Sequence, residues 1–167
     1  MTTELKNDVR VDAKSVTQRT FPCNPGILIG DDMGLILTLL KFELEPRGFN
    51  VWLAVDSSDA IDLYRRHQEQ IDLVLLDVQM PGLDGPHTLA HLQRIDRDVV
   101  ACFMTGGAGG YTEDELLNRG AVRVYTKPFR LAEVADSLER LCSPSAMPHR
   151  MRMSSCSSSW SASSNPL

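Results

Sequence analysis

Carboxylate side chains follow two short apolar stretches of the sequence at the point where each stretch ends. GILIG is followed by Asp31 and Asp32, and DLVLL is followed by Asp77. Two further apolar stretches lead to Thr105, which precedes a glycine pair, and to Lys127, which precedes a proline. Oxygen-only ligands favour Mg²⁺. If these side chains converge, they would suit a magnesium site with a hydroxyl and an ammonium beside it.

Three carboxylates held close together need a reason, because they repel one another. At a separation of about 4 Å, each pair repels by roughly 4 kcal/mol when the effective dielectric constant is near 20. A structural role would not require that cost, whereas a divalent cation removes it. Taken singly, each residue has a more ordinary explanation, since an Asp after a strand usually caps a helix and a Lys beside a Pro is usually solvated. Only the joint placement favours a functional site.

Such a site needs a scaffold that brings the ends of several strands together. Patterns typical of strands lie at 26–30, 50–55, 72–76, 99–104 and 121–125. Patterns typical of helices separate or follow them at 33–46, 57–69, 85–95, 112–119 and 130–141. Strands that are apolar on both faces and alternate with helices indicate a parallel sheet covered on both sides. We predict an α/β fold with a doubly wound, five-stranded parallel sheet in the flavodoxin-like order 2-1-3-4-5, helices on both faces, and sites at the carboxyl ends of the strands.

Composition divides the 167 residues into one globular domain and two tails. We predict a flexible N-terminal extension at 1–24, a domain at 25–142 and a disordered tail at 143–167, where serine is abundant and apolar residues are few. The net charge of -5 gives no reason to expect nucleic acid as a partner. No apolar run approaches the roughly 18 residues of a membrane span, and the first 15 residues lack the apolar region that is typical of a signal peptide. The sequence therefore predicts a cytoplasmic protein with no membrane partner.

Four motifs resemble those of the receiver domains of two-component response regulators. They are ILIGDD, LLDVQMPGLDG, MTGG and YTKPF, and the resemblance extends over about Gly26 to Leu141. The resemblance implies that Asp77 is the phosphoacceptor and that Thr105 and Lys127 contact the phosphoryl group. It also implies a cis peptide bond between Lys127 and Pro128.

The same resemblance implies a Mg²⁺ cofactor and a set of ligands for it. Asp32 and Asp77 would bind the metal directly, Asp31 would act through water, and the backbone carbonyl of Gln79 would complete the protein ligands. The phosphodonor would be a histidine kinase or a histidine phosphotransfer protein, and the signal would pass to a downstream protein target. The protein would not be an enzyme in the usual sense, since it catalyses only its own phosphorylation and slow dephosphorylation.

One position departs from the family pattern and keeps an alternative function open. Receivers usually carry an aromatic residue three positions before the Lys, where it acts as a rotamer switch. Here that position is Val124, and Tyr125 follows on the opposite face of the strand. The alternative is a degenerate receiver that acts only as a phosphorylation-independent interaction module.

Two other classes of protein fit less well. An aspartyl-phosphate phosphatase of the haloacid-dehalogenase type would need an acid two residues after the nucleophile, where this chain has Gln79. A flavodoxin-like cofactor carrier would need a phosphate-binding loop after the first strand, where Asp31 and Asp32 would repel phosphate.

The first helix has more apolar residues than one buried face requires. Ile36, Leu40 and Leu44, flanked by Leu37, form a stripe that can face the core. A second stripe lies beside it and consists of Leu35, Leu39 and Phe42. Either the second stripe is covered by neighbouring elements, or it is an exposed patch. In the second case we expect it to dock the histidine phosphodonor or to form a homodimer contact.

Overall fold

The computed structural model describes residues 24–107 and 110–143. The five strands are β1 (Gly26–Gly30), β2 (Asn50–Ala54), β3 (Leu73–Asp77), β4 (Ala101–Thr105) and β5 (Ala121–Thr126). The helices are α1 (Gly34–Leu44), α2 (Ser57–His67), α3 (Gly85–Ile95), α4 (Glu113–Asn118) and α5 (Leu131–Leu141). A 3-10 turn, Glu45–Arg47, follows α1. The predictions for the two tails concern mainly residues outside the described ranges.

The sheet confirms the predicted fold class and strand order. All four pairings are parallel, and the order across the sheet is β2-β1-β3-β4-β5. The strand β3 is central, and all five of its residues are buried. It includes Asp77, which the sequence prediction had placed one residue beyond the strand. The reversal of strand order beside β1 leaves a crevice at the carboxyl ends of β1 and β3, which is where open α/β sheets place their sites.

Helices cover both faces of the sheet, and each face has its own core. On one face the strands pack against α2, α3 and α4, around buried residues such as Leu28, Leu76 and Phe103. On the other face they pack against α1 and α5, around Ile29, Leu75 and Cys102. Neighbouring strand residues therefore point to opposite cores, as the period of two requires. Within the described ranges, no helix is both long enough and apolar enough to cross a membrane.

The buried face of α1 differs from the predicted one by a small rotation. Leu37, Leu40 and Leu44 are buried, whereas Ile36 is only partly buried. The stripe of Leu37, Leu40 and Leu44 has the i, i+3, i+7 spacing of a single helix face. Packing against α5 sets the rotation of α1 about its own axis. The apolar residues of the sequence are compatible with burial of either Ile36 or Leu37.

Candidate functional site

One ammonium group joins two carboxylates at the carboxyl edge of the sheet. The Nζ atom of Lys127 lies 2.7 Å from Asp31 Oδ2 and 2.7 Å from Asp77 Oδ1. Asp31 follows β1, Asp77 ends β3, and Lys127 follows β5, so three elements that are distant in sequence meet here. The peptide bond between Lys127 and Pro128 is cis. The structure thus brings together Asp31, Asp77 and Lys127, three of the candidate site residues that the sequence predicts.

Backbone amides hold the two carboxylates in fixed orientations. The second oxygen of Asp31 accepts a hydrogen bond from the N–H of Met33 at 2.8 Å. The second oxygen of Asp77 accepts one from the N–H of Gln79, also at 2.8 Å. Each carboxylate therefore has one oxygen bound to the following loop and one bound to Lys127. The loops that leave β1 and β3 help to build the site as well as connect the strands.

Burial and charge both affect the pKa values of Asp77 and Lys127. Asp31 is fully buried, and Asp77 is 5% exposed. Burial raises the pKa of Asp77, and the neighbouring charge of Asp31 adds to the increase, although hydrogen bonding to Lys127 acts in the opposite sense. Burial alone would lower the pKa of Lys127, but its hydrogen bonds to the two carboxylates outweigh that effect and raise it. Burial therefore accounts for the raised pKa of Asp77, whereas the two hydrogen-bonded carboxylates account for the raised pKa of Lys127.

Thr105 lies at the end of β4, beside the ion pair. Its backbone carbonyl accepts a hydrogen bond of 2.7 Å from the N–H of Lys127, which ties the end of β4 to the end of β5. Its hydroxyl oxygen accepts a hydrogen bond of 3.1 Å from the N–H of Gly107. Among the residues that the structure describes, none lies within 4 Å of a Cβ atom placed at Gly106. A small group could therefore approach this hydroxyl from solvent.

Asp32 stands apart from the ion pair. Its side chain is exposed, whereas that of the preceding Asp31 is buried against Lys127. No group of three or more His, Cys, Asp or Glu side chains within the described ranges is close enough to hold a metal ion by itself. This arrangement still fits Mg²⁺, which typically keeps several waters and uses one or two carboxylates with phosphate oxygens. The donors available are all oxygen atoms, and the ammonium of Lys127 already shows that a cation is stable between Asp31 and Asp77.

The loop after Asp77 is held tightly against the strand. The N–H of Gly85 donates to the carbonyl of Val78 at 3.0 Å. A Cβ atom at Gly85 would lie 2.3 Å from the carbonyl oxygen of Asp77, so only glycine fits at this position. Asp84 caps α3 by accepting a hydrogen bond from the N–H of His87 at 2.8 Å. The first turn of α3 is therefore seated directly on the backbone of Asp77.

Sequence reasoning missed a side-chain contact beside this loop. The hydroxyl of Tyr111 donates a hydrogen bond to Asp84 Oδ2 at 2.9 Å, and the guanidinium of Arg119 lies 4.9 Å from the centre of the Tyr111 ring. Tyr111 follows a run of glycines, and it is the first large side chain after Thr105. A single large side chain in a glycine-rich loop was the one feature of the sequence that could have drawn attention to Tyr111. The sequence does not show in which direction a loop side chain points, so the contact with Asp84 could not be predicted.

Val124 and Tyr125 lie on opposite faces of β5, as predicted. Val124 packs against the core beneath α2, α3 and α4. Tyr125 packs against the other core, where its hydroxyl donates to Ser137 Oγ on α5 at 2.9 Å. Tyr125 therefore does not replace the missing aromatic side chain on the Val124 face.

The second stripe of α1 is exposed to solvent, which decides between the two alternatives left by the sequence. Leu35 is 65% exposed, Leu39 is 39% exposed and Phe42 is 73% exposed. Met33, which precedes the helix, is 54% exposed. These four residues, the α1 patch, begin two positions after Asp31 and extend along the helix away from the site.

Comparison with known proteins gives a consistent result. The family model of the response regulator receiver domain matches residues 27–139. Sporulation initiation phosphotransferase F of Bacillus subtilis is 32% identical over 117 residues, which is 70% of this chain and 93% of that protein. Transcriptional regulatory protein PrrA of Mycobacterium tuberculosis is 32% identical over 118 residues, but the match spans only 50% of that protein.

Solved structures agree with these sequence matches. A chain in the crystal structure of the CheX-CheY-BeF3-Mg complex from Borrelia burgdorferi superposes with a TM-score of 0.66 at 26% identity, covering 71% of this chain and 90% of that one. A response regulator receiver domain protein from Clostridium thermocellum gives a TM-score of 0.65 at 26% identity, covering 70% and 92%.

Proposed function

The chain belongs to the response regulator receiver domain family of two-component signalling, and we propose that it accepts a phosphoryl group on Asp77. The observation that carries this proposal is the pair of 2.7 Å contacts from Lys127 to Asp31 and Asp77. The donor would be a phosphohistidine on a histidine kinase or a histidine phosphotransfer protein. The protein would act as a phosphoacceptor that signals through a downstream protein, without turning over an external substrate.

The side chains of the site suit an in-line transfer. An oxygen of Asp77 attacks phosphorus as the bond to the donor imidazole nitrogen breaks, and the imidazole takes up a proton. Lys127, which stays protonated, neutralises charge on the phosphoryl oxygens, and the Thr105 hydroxyl can donate a hydrogen bond to one of them. No group in this set needs to leave the edge of the sheet.

Magnesium would be held by Asp32 and Asp77 directly, by the backbone carbonyl of Gln79, and by Asp31 through water. When bound, Mg²⁺ supplies positive charge that offsets the repulsion between the acids and the phosphoryl oxygens. The exposed Asp32 and the buried Asp31 have different surroundings, which suits one direct and one water-mediated ligand.

The test is intact mass after incubation with acetyl phosphate and MgCl₂. We expect one added phosphate that is lost on treatment with hydroxylamine, because an acyl phosphate is labile to that nucleophile. Asp77→Asn should abolish labelling. Asp62→Asn is the matched control, since Asp62 is an exposed acid on α2 that pairs only with Arg65 among the described residues, and it should label normally.

Two outcomes would contradict the proposal. Phosphate that persists in Asp77→Asn would show that another residue is the acceptor. A wild-type protein that is fully folded and binds Mg²⁺, but takes up no phosphate from acetyl phosphate or phosphoramidate, would favour the degenerate receiver. That alternative is kept because Val124 stands where receivers usually have an aromatic residue.

The α1 patch is the surface that we propose for the phosphodonor, with a homodimer contact as the alternative. It is apolar, exposed and adjacent to the site, so a partner seated there could bring its phosphohistidine in line with Asp77. Leu35→Ser and Leu39→Ser should leave labelling by acetyl phosphate intact, because a small donor needs no docking. Transfer from a cognate phosphohistidine protein should slow.

Equal effects on both donors would refute the docking role. Sedimentation of the wild type and of Phe42→Ser would test the alternative, because a dimer that rests on the patch should dissociate when its most exposed apolar side chain is replaced.

A further inference from the structure

The short helix α4 is attached to α3 at both of its ends. Tyr111, which immediately precedes the N-cap Thr112, is hydrogen-bonded to Asp84 at the start of α3. At the other end, the side-chain amide of Gln93 in α3 donates to the carbonyl of Arg119 at 3.2 Å. A helix of six residues is not stable by itself. Its position must therefore depend on attachments of this kind.

The attachment at the first end leads directly to the phosphoacceptor. Asp84 is fixed by its hydrogen bond to the N–H of His87 and by the His87 Nδ1 atom, which lies 2.7 Å from its Oδ1. The next residue, Gly85, rests against the carbonyl of Asp77 with no room for even a methyl group. Close-packed groups transmit displacements to one another. A shift of the Asp77 peptide must therefore move Gly85 and Asp84.

We propose that Tyr111 is a positioning residue that ties the amino-terminal end of α4 to the loop after Asp77, so that phosphorylation of Asp77 is relayed to α4 through Asp84. The proposal rests on the proposed function of Asp77. The relay consists of two contacts: the packing of Gly85 on the Asp77 carbonyl, and the hydrogen bond from Tyr111 to Asp84. This relay does not require an aromatic side chain at position 124, which is occupied by Val124. Tyr125 takes no part, because its hydroxyl is bound to α5 on the opposite face of the sheet.

The test uses amide hydrogen exchange on the full chain, with and without beryllofluoride and MgCl₂ as a stable substitute for the phosphoryl group. The reporter is the N–H of Leu116, which bonds the Thr112 carbonyl at 3.1 Å within the first turn of α4. In Tyr111→Phe, which keeps the ring but loses the hydroxyl, exchange at Leu116 should rise by about tenfold, the scale of one hydrogen bond to a charged acceptor. The response of Leu116 to beryllofluoride, present in the wild type, should disappear.

Tyr125→Phe is the matched control. It also removes one tyrosine hydroxyl with a hydrogen bond of 2.9 Å, and it should keep the wild-type behaviour at Leu116. Asp84→Ser is a second variant that breaks the same contact from the other side. Serine still caps a helix but has no second oxygen for Tyr111. Asp84→Ser should raise the exchange rate of Leu116 as much as Tyr111→Phe does. When both substitutions are combined, the exchange rate of Leu116 should rise by less than a further twofold.

The N–H of Gln79, which bonds Asp77 Oδ2, distinguishes the two ways in which the experiment can fail. If Gln79 does not respond to beryllofluoride in the wild type, the proposed function of Asp77 is wrong. If Gln79 responds but Leu116 in Tyr111→Phe still behaves as in the wild type, the tie through Tyr111 is refuted. An equal response of Leu116 in Tyr111→Phe and Tyr125→Phe would refute it as well.

Discussion

Replacement of Lys127 by methionine should destabilise the protein strongly in the absence of Mg²⁺. The change keeps an aliphatic stem but removes the ammonium, leaving the buried carboxylates of Asp31 and Asp77 without their shared partner. Because both oxygens lie 2.7 Å from the same nitrogen, they are no more than about 5 Å apart. At an effective dielectric constant near 20, two unit charges at that distance repel by about 3 kcal/mol.

That repulsion sets the size of the expected effect. Removal of one partner from a buried ion pair typically costs 3–5 kcal/mol, and Lys127 is only 20% exposed, so solvent screens the interaction weakly. We expect a loss of about 3 kcal/mol in the free energy of unfolding, measured by urea denaturation at pH 7.5 in EDTA. The melting temperature should fall by on the order of 10 °C.

The pH dependence of stability provides a second test of whether Lys127→Met destabilises the protein through charge repulsion. Without the hydrogen bonds from Lys127, which oppose the rise, the carboxyl pKa of Asp77 should lie higher still. A carboxyl whose pKa is raised on folding contributes stability that is present below its unfolded pKa and lost as pH rises through its folded pKa. The difference between wild type and Lys127→Met should therefore be largest near neutral pH and should shrink in acid.

The matched control is Lys41→Met, because Lys41 pairs with Glu45 at 3.6 Å with both side chains well exposed. Surface pairs of this kind contribute little, so this variant should be close to wild type. The double variant Asp77→Asn with Lys127→Met should recover much of the lost stability, since one of the two facing charges is gone. A Lys127→Met protein within 1 kcal/mol of wild type, or a loss that does not vary with pH, would contradict the reasoning.

Two further predictions concern residues around the site and at the opposite edge of the sheet. Gly85→Ala should cost about 1–3 kcal/mol in urea denaturation and slow labelling by acetyl phosphate, because the new methyl group would collide with the Asp77 carbonyl. Gly34→Ala is its control and should be neutral or slightly stabilising, because no described residue would lie within 4 Å of the new methyl group. Asp72→Asn should stabilise the protein by about 1 kcal/mol at pH 7, because burial raises the pKa of Asp72 and asparagine can still accept the hydrogen bond from Gly26. That gain should vanish at a pH below the carboxyl pKa of the unfolded chain, and a gain that persists in acid would refute the charge argument.

The fold, and the edge of the sheet at which the candidate site lies, could be predicted from the sequence because both follow from periodic patterns. Apolar strands on a repeating spacing predicted the sheet order, and the ends of those strands placed Asp31, Asp77, Thr105 and Lys127 at one edge. The contact between Tyr111 and Asp84 was not predictable, because a loop side chain has no period from which its direction could be read. The choice of Leu37 over Ile36 as a core residue was also undecided, since it depends on how α1 rotates against α5.

The spread of the site along the chain affects what happens during protein synthesis. The two contacts of Lys127 span 96 and 50 residues of sequence, and β5 is the last of the described strands along the chain. A nascent chain that ends after β4 has the carboxylates of Asp31 and Asp77 but not the ammonium that joins them. The proposed phosphate uptake would therefore require translation to pass Lys127 and β5 to pair with β4. Phosphate uptake would then serve as a readout of completed folding.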